Sequence, residues 1–162
     1  RPSIVDSKER FGDWEIDTVL GKHGTGAMVT ILERKTRFYV VKKVPSKSAD
    51  DVTKATIELL MPYKEHVHTI TTDNGREFAG HETIAKELEA EVYFAHTYSS
   101  WERGANENAN GLLRQYVKKG TDLTTVTDSD IEFALLRINY RPRKCLDFKQ
   151  PAIVFKEMAL AA

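Results

Sequence analysis

One cysteine, Cys145, is all the sequence holds. An internal disulfide is excluded, and a reducing cytoplasm is the expected compartment. No apolar run approaches the roughly 18 residues of a membrane span, and no signal-peptide pattern opens the chain. Net charge is missing too, with 24 Lys and Arg against 24 Asp and Glu. A stand-alone DNA-reading module is usually basic, so the balance argues against one. It leaves room for an enzyme that borrows its DNA affinity from another region. Repeats, low-complexity tracts and Gly/Ser linkers are absent, so nothing divides the 162 residues, a length that suits one core. His23, His66, His68, His81 and His96 show no zinc spacing, and the glycine-rich stretch 21–26 lacks the Walker arrangement. The start at Arg1-Pro2 rather than Met leads us to expect a piece of a longer protein.

What is present is an ordered series of periodic segments. The first ten residues are polar and expected to form an arm, with the core in 11–162. Over 13–20 the chain alternates, Trp14, Ile16 and Thr18 against Asp13, Glu15 and Asp17, which predicts a strand. Apolar runs at 27–32 and 38–44 predict two more strands, covered on both faces, in an antiparallel meander. Ser48 and Asp51 resemble a capping box, opening a helix that runs to Pro62 through Val52, Ala55, Thr56, Leu59 and Leu60. A short strand at 68–72 ends in Asp73-Asn74-Gly75. His81, Ile84, Ala85 and Leu88 mark a helix, 91–95 a fifth strand, and 105–116, 131–138 and 151–159 three further helices. Strand-helix-strand crossovers after a meander give an α/β fold, a five-stranded mixed sheet with helices on both faces.

Three acids attract attention within this frame. Asp17 lies on the polar face of the first strand, and Asp73 closes a strand at the end where open α/β sheets place their ligands. Glu107 shares a helical face with Arg103, Asn110, Gly111 and Arg114, opposite the stripe Ala105, Ala109, Leu112, Leu113 and Tyr116. Carboxylates gathered together repel, by about 4 kcal/mol at 4 Å and an effective dielectric of 20. Hard divalent cations relieve that, and oxygen-only ligands select Mg²⁺ or Mn²⁺ over zinc.

The motifs around these acids resemble retroviral-integrase-type cores. Trp14-Glu15-Ile16-Asp17-Thr18 is similar to their first catalytic strand, and Thr72-Asp73-Asn74-Gly75-Arg76-Glu77-Phe78 to their Thr-Asp-Asn-Gly-x-x-Phe signature. Gly104-Ala105-Asn106-Glu107 is similar to the Gly-x-x-Glu that opens a helix, and the 34 positions from Asp73 to Glu107 match the family's spacing. More narrowly, Gly12-Asp13-Trp14-Glu15, Trp101-Glu102-Arg103-Gly104, the segment 106–116 and Asn139-Tyr140-Arg141-Pro142-Arg143-Lys144 resemble the insertion sequence thirty family of bacterial transposases. Ile16 departs from the pattern, standing where a smaller residue is usual.

That resemblance implies a ribonuclease-H-like fold with Asp17, Asp73 and Glu107 as catalytic residues and ligands of two Mg²⁺ or Mn²⁺ ions. It implies cleavage at transposon ends and transfer of a 3′-hydroxyl into target DNA. Double-stranded DNA is the expected partner, with homo-oligomers assembling on it in the bacterial cytoplasm at the nucleoid. Arg103, Asn110, Arg114, Lys118, Arg141 and Arg143 are the expected DNA contacts. Tyr98 and Trp101 could stack on an unpaired base, though core packing is the commoner role. A ribonuclease-H-like nuclease without strand transfer and a non-catalytic binding or oligomerisation core are the competing readings.

Overall fold

The computed structural model describes residues 1–96 and 104–162. Five strands, β1 (Asp13–Leu20), β2 (Ala27–Glu33), β3 (Tyr39–Val44), β4 (Thr69–Thr72) and β5 (Glu91–Phe94), form one sheet in the order β3-β2-β1-β4-β5. The first three are an antiparallel meander, and β4 and β5 join it in parallel. Helices α1 (Ser3–Ser7), α2 (Ala49–Leu60), α3 (His81–Leu88), α4 (Gly104–Leu113), α5 (Asp128–Asn139) and α6 (Pro151–Ala161) complete the fold. No helix among the described residues is long and apolar enough to cross a membrane.

Local chemistry accounts for the element ends. Ser48 caps α2 by accepting from the Asp51 amide, whereas the Asp51 carboxylate takes the Ser46 hydroxyl at 2.6 Å, so only half of the expected box forms. Thr127 and Asp130 make the full reciprocal box at the start of α5. Pro62 does not end the helical path; α2 tightens into a 3₁₀ segment, Met61–His66, with the proline in its first turn, where a missing N–H costs nothing.

Side-chain alternation along the strands builds two cores. Trp14 and Ile16 of β1 join Val29, Ile31, Val52, Leu60, Ile70, Phe78 and Phe155 on the side of α2, α3 and α6. Val19, Met28, Leu32 and Tyr39 join Ala109, Leu113, Ile131 and Ile138 on the side of α4 and α5. Ile16 is a buried core residue here, which explains why a large apolar side chain is accepted at that position.

On the acidic side of β1, Asp13 and Glu15 are both fully buried, Glu15 under the start of α4 and Asp13 against Arg10. The amino-terminal segment carries α1, Val5 is buried, and Arg1 Nη1 donates to Thr71 Oγ1 at 2.9 Å.

Candidate active site

Strand register places the first two acids. Asp13, Trp14 and Glu15 of β1 pair in parallel with Thr69, Ile70 and Thr71 of β4. Two residues beyond the last pair stand Asp17, in the middle of β1, and Asp73, just past the end of β4. The ladder stops short of both acids. Asp17 is half-buried, and its Oδ1 accepts from the Thr18 amide at 2.8 Å. Asp73 Oδ1 accepts from the Gly75 amide at 2.8 Å, the local turn that Asp favours. Gly75 answers to a close approach: a Cβ there would overlap Glu77 Oε1 and come within 2.9 Å of Asp73 Oδ1.

Helix α4 crosses above Asp17. Asn110 donates from Nδ2 to Asp17 Oδ2 at 3.1 Å and accepts the Tyr39 hydroxyl on Oδ1 at 2.6 Å. Burial pushes the Tyr39 phenol far above its ordinary range, so it stays a donor. Asn110, expected to touch DNA, is thus engaged with a candidate ligand. Glu107 lies one turn before Asn110, on the same side of α4, with its side chain in solvent. Among the described residues, no three His, Cys, Asp or Glu side chains converge closely enough to hold a metal ion. The structure therefore places Asp17 on β1 under α4, Asp73 just after β4 and Glu107 on α4, without closing the three into one cluster. The donor set, carboxylate oxygens alone, fits a hard divalent cation.

Two residues near the acids escaped the sequence reading. Glu77 is buried: its Oε2 accepts from Thr18 Oγ1 at 2.9 Å and from Lys47 Nζ at 2.8 Å. Burial pushes its carboxyl up, but Lys47, its own backbone amide and Thr18 together outweigh this and hold it below the usual carboxylate range. Asn106, fully buried beside Glu107, is the other. Its helical position lies at the border of the apolar stripe, and only the partners on β1 and β2 reveal why an amide stands there.

The expected DNA contacts divide. Lys118 and Arg141 are exposed, Arg141 in a shallow groove with Tyr116, Phe133 and Tyr140. Arg114 is half-buried and folds back on the end of β1, Nη2 donating to the Leu20 carbonyl at 3.1 Å. Arg143 turns inward: Nη2 donates to the Ile138 carbonyl at 2.8 Å, closing the carboxyl end of α5, and burial lowers its pKa. Arg103, Tyr98 and Trp101 lie outside the described residues.

Comparison with known proteins follows the same outline. The integrase core domain family matches residues 8–100, a span that holds Asp17 and Asp73 and stops before Glu107. A transposase for insertion sequence element IS4351 of Bacteroides fragilis is 49% identical over 158 residues, covering 98% of this chain and 48% of that protein. Transposase InsI for insertion sequence element IS30A of Escherichia coli K12 is 33% identical over 152 residues, covering 93% of this chain and 39% of that protein. The chain thus spans about half or less of the length of these curated relatives. The catalytic core domain of BIV integrase superposes with a TM-score of 0.72 at 18% identity, covering 94% of this chain and 98% of that one. At that identity the likeness speaks for the fold, which is the ribonuclease-H-like arrangement expected from the motifs. Sheet order, motif positions and relatives agree: the chain belongs to the integrase core domain family and is strongly similar to insertion-sequence transposases, those of IS30 type among them.

Proposed function

We propose that this chain is the catalytic core of a DNA transposase, cleaving at transposon ends and transferring the freed 3′-hydroxyl into target DNA. What supports this reading is that Asp17 and Asp73 each stand two residues past the last β1–β4 pair, with α4 bonded to Asp17 through Asn110. Two carboxylates at neighbouring positions repel unless a cation sits between them. Asp17 and Asp73 would hold Mg²⁺ or Mn²⁺, and Glu107 would complete the set by swinging its exposed side chain inward. A pair of such ions supplies activation of the attacking hydroxyl and charge stabilisation at the leaving oxygen. Asn110 keeps one oxygen of Asp17 oriented, and Thr18 tied to Glu77 steadies the strand on its other side. Lys118 and Arg141, with Arg103 and Arg114, would meet DNA phosphates, and a second copy of the protein would join on the DNA.

DNA carrying transposon ends, incubated with the protein and Mg²⁺, separates this from plain nuclease action. Joined strand-transfer products are expected; cut ends without joining would identify a nuclease. Glu107→Gln should lower joining by roughly a thousandfold, the scale of several kcal/mol of lost charge stabilisation, with thermal stability intact. Unchanged joining would remove Glu107 from the reaction.

A further inference from the structure

The site leaves open how Glu107, on a helix outside the sheet, is held at the right height over Asp17. The residue before it supplies an answer. Asn106 is fully buried and every polar atom of its side chain is bound to the sheet. Its Nδ2 donates to the Glu15 carbonyl at 2.9 Å and to the Thr30 carbonyl at 3.3 Å, while its Oδ1 accepts from Thr30 Oγ1 at 3.2 Å. The Asn106 backbone amide, in the first turn of α4, donates at 3.3 Å to Oε1 of Glu15, itself fully buried and facing Arg34 Nη1 at 3.6 Å. Strand β1 therefore caps α4 from outside the helix: a buried carboxylate meets the positive end of the helix dipole and satisfies an amide that has no partner within the helix.

One turn later Asn110 binds Asp17. Two asparagines four residues apart thus fasten the same side of α4 to β1, at Glu15 and at Asp17, and Glu107 lies between them. A helix pinned at two points can neither roll nor slide along its axis without breaking both sets of bonds. Apolar contacts through Ala105, Ala109 and Leu113 would allow such a shift at little cost, because they have no preferred direction.

We propose that Asn106, clamped by Glu15 and Thr30, is the positioning residue for Glu107, setting the rotation and height of α4 so that the glutamate reaches a cation held by Asp17 and Asp73. This rests on the catalytic reading above. Groups that orient a metal ligand from behind typically change metal affinity or activity 10–100-fold when removed.

The test pairs Asn106→Ala with Thr30→Val, an isosteric change that deletes one bond to Asn106 and keeps the shape of the site. Mn²⁺ binding followed by electron paramagnetic resonance, hydrogen exchange along α4 and strand joining are compared with wild type. Expected are faster exchange confined to the first turn of α4 and about 10–100-fold weaker Mn²⁺ binding and joining in Asn106→Ala. Thr30→Val should show the same pattern more weakly. On a Glu107→Gln background the Asn106 substitution should add nothing to the loss of Mn²⁺ affinity, since both act through one carboxylate. Full additivity there, or wild-type Mn²⁺ affinity in both variants, would overturn the clamp. If Asn106→Ala does not fold, Thr30→Val with the Glu107→Gln background decides alone. Failure of the catalytic reading looks different: wild type would then bind no Mn²⁺ and join no strands, and the positioning role would fall with it.

Discussion

The two faces of the sheet are held by different physics. Against α2 and α6 the filling is aromatic: Phe155 meets Phe38 at a ring separation of 4.3 Å, Phe11 and Tyr63 at 5.3 Å and Trp14 at 5.7 Å. Against α4 and α5 the apolar residues are smaller, and polar side chains reach across them. Asn139 exchanges two bonds with the Tyr39 backbone, at 2.9 and 2.8 Å, and Lys43 Nζ donates to the Leu123 and Val126 carbonyls. Asn106 and Asn110 fix α4 in the same manner. Aromatic burial supplies much free energy with little directional demand. Hydrogen bonds contribute less each, but they specify orientation and penalise every alternative that leaves a buried group unpaired. The candidate catalytic acids stand on the face where orientation is specified.

Substitutions on each side sharpen that contrast. Asp17→Asn touches only the directional face and should abolish joining, by roughly a thousandfold or more, with an unchanged melting temperature. Phe155→Ala is its counterpart. Emptying the centre of the aromatic face should lower stability by about 3–5 kcal/mol in chemical denaturation, while joining per folded molecule stays near wild type; a loss of joining larger than the loss of folded protein would break the division. Asn139→Ala strands a buried amide and a carbonyl of Tyr39 and should cost about 1–3 kcal/mol. Ser48→Ala, at the cap of α2 on the aromatic side, should cost about 1 kcal/mol and leave joining untouched.

The smallest effect concerns pH. The Thr127 backbone amide, and then its hydroxyl, hold the Asp130 carboxyl below the ordinary aspartate range. A depressed folded-state pKa means stability present above the unfolded value and lost as pH falls through the folded one. Asp130→Asn should therefore lower stability slightly at neutral pH, where the ionised carboxylate contributes in full, and flatten the acid limb of the profile; an unchanged acid limb would show that the box contributes no pH dependence.

Much of this architecture was legible in the residues. Alternation in β1, the unbroken apolar run of β2 and the Asp-Asn-Gly stop after β4 each follow from periodicity or turn chemistry. Motif and spacing single out the three candidate acids. Hidden from view was the partner of each polar group. Glu15 is one of three acids on the polar side of an alternating strand until α4 is laid over it, and Arg143 is an expected DNA contact until its guanidinium is found bound to Ile138. Asn110 gives a signal of polarity in the right place without saying whether it faces DNA or Asp17. Pairwise choices of this kind are tertiary: they depend on residues tens of positions away, which no local period encodes.

Tyr39 has a consequence for the polarity of the site. Burial pushes the Tyr39 phenol far above its ordinary range, so its O–H stays available to Asn110 Oδ1, which leaves the amide's Nδ2 turned toward Asp17. The amide cannot flip without setting two acceptors face to face at Asp17. The buried hydroxyl on one side and the Asp17 carboxylate on the other thereby set a single direction of hydrogen bonding through the amide.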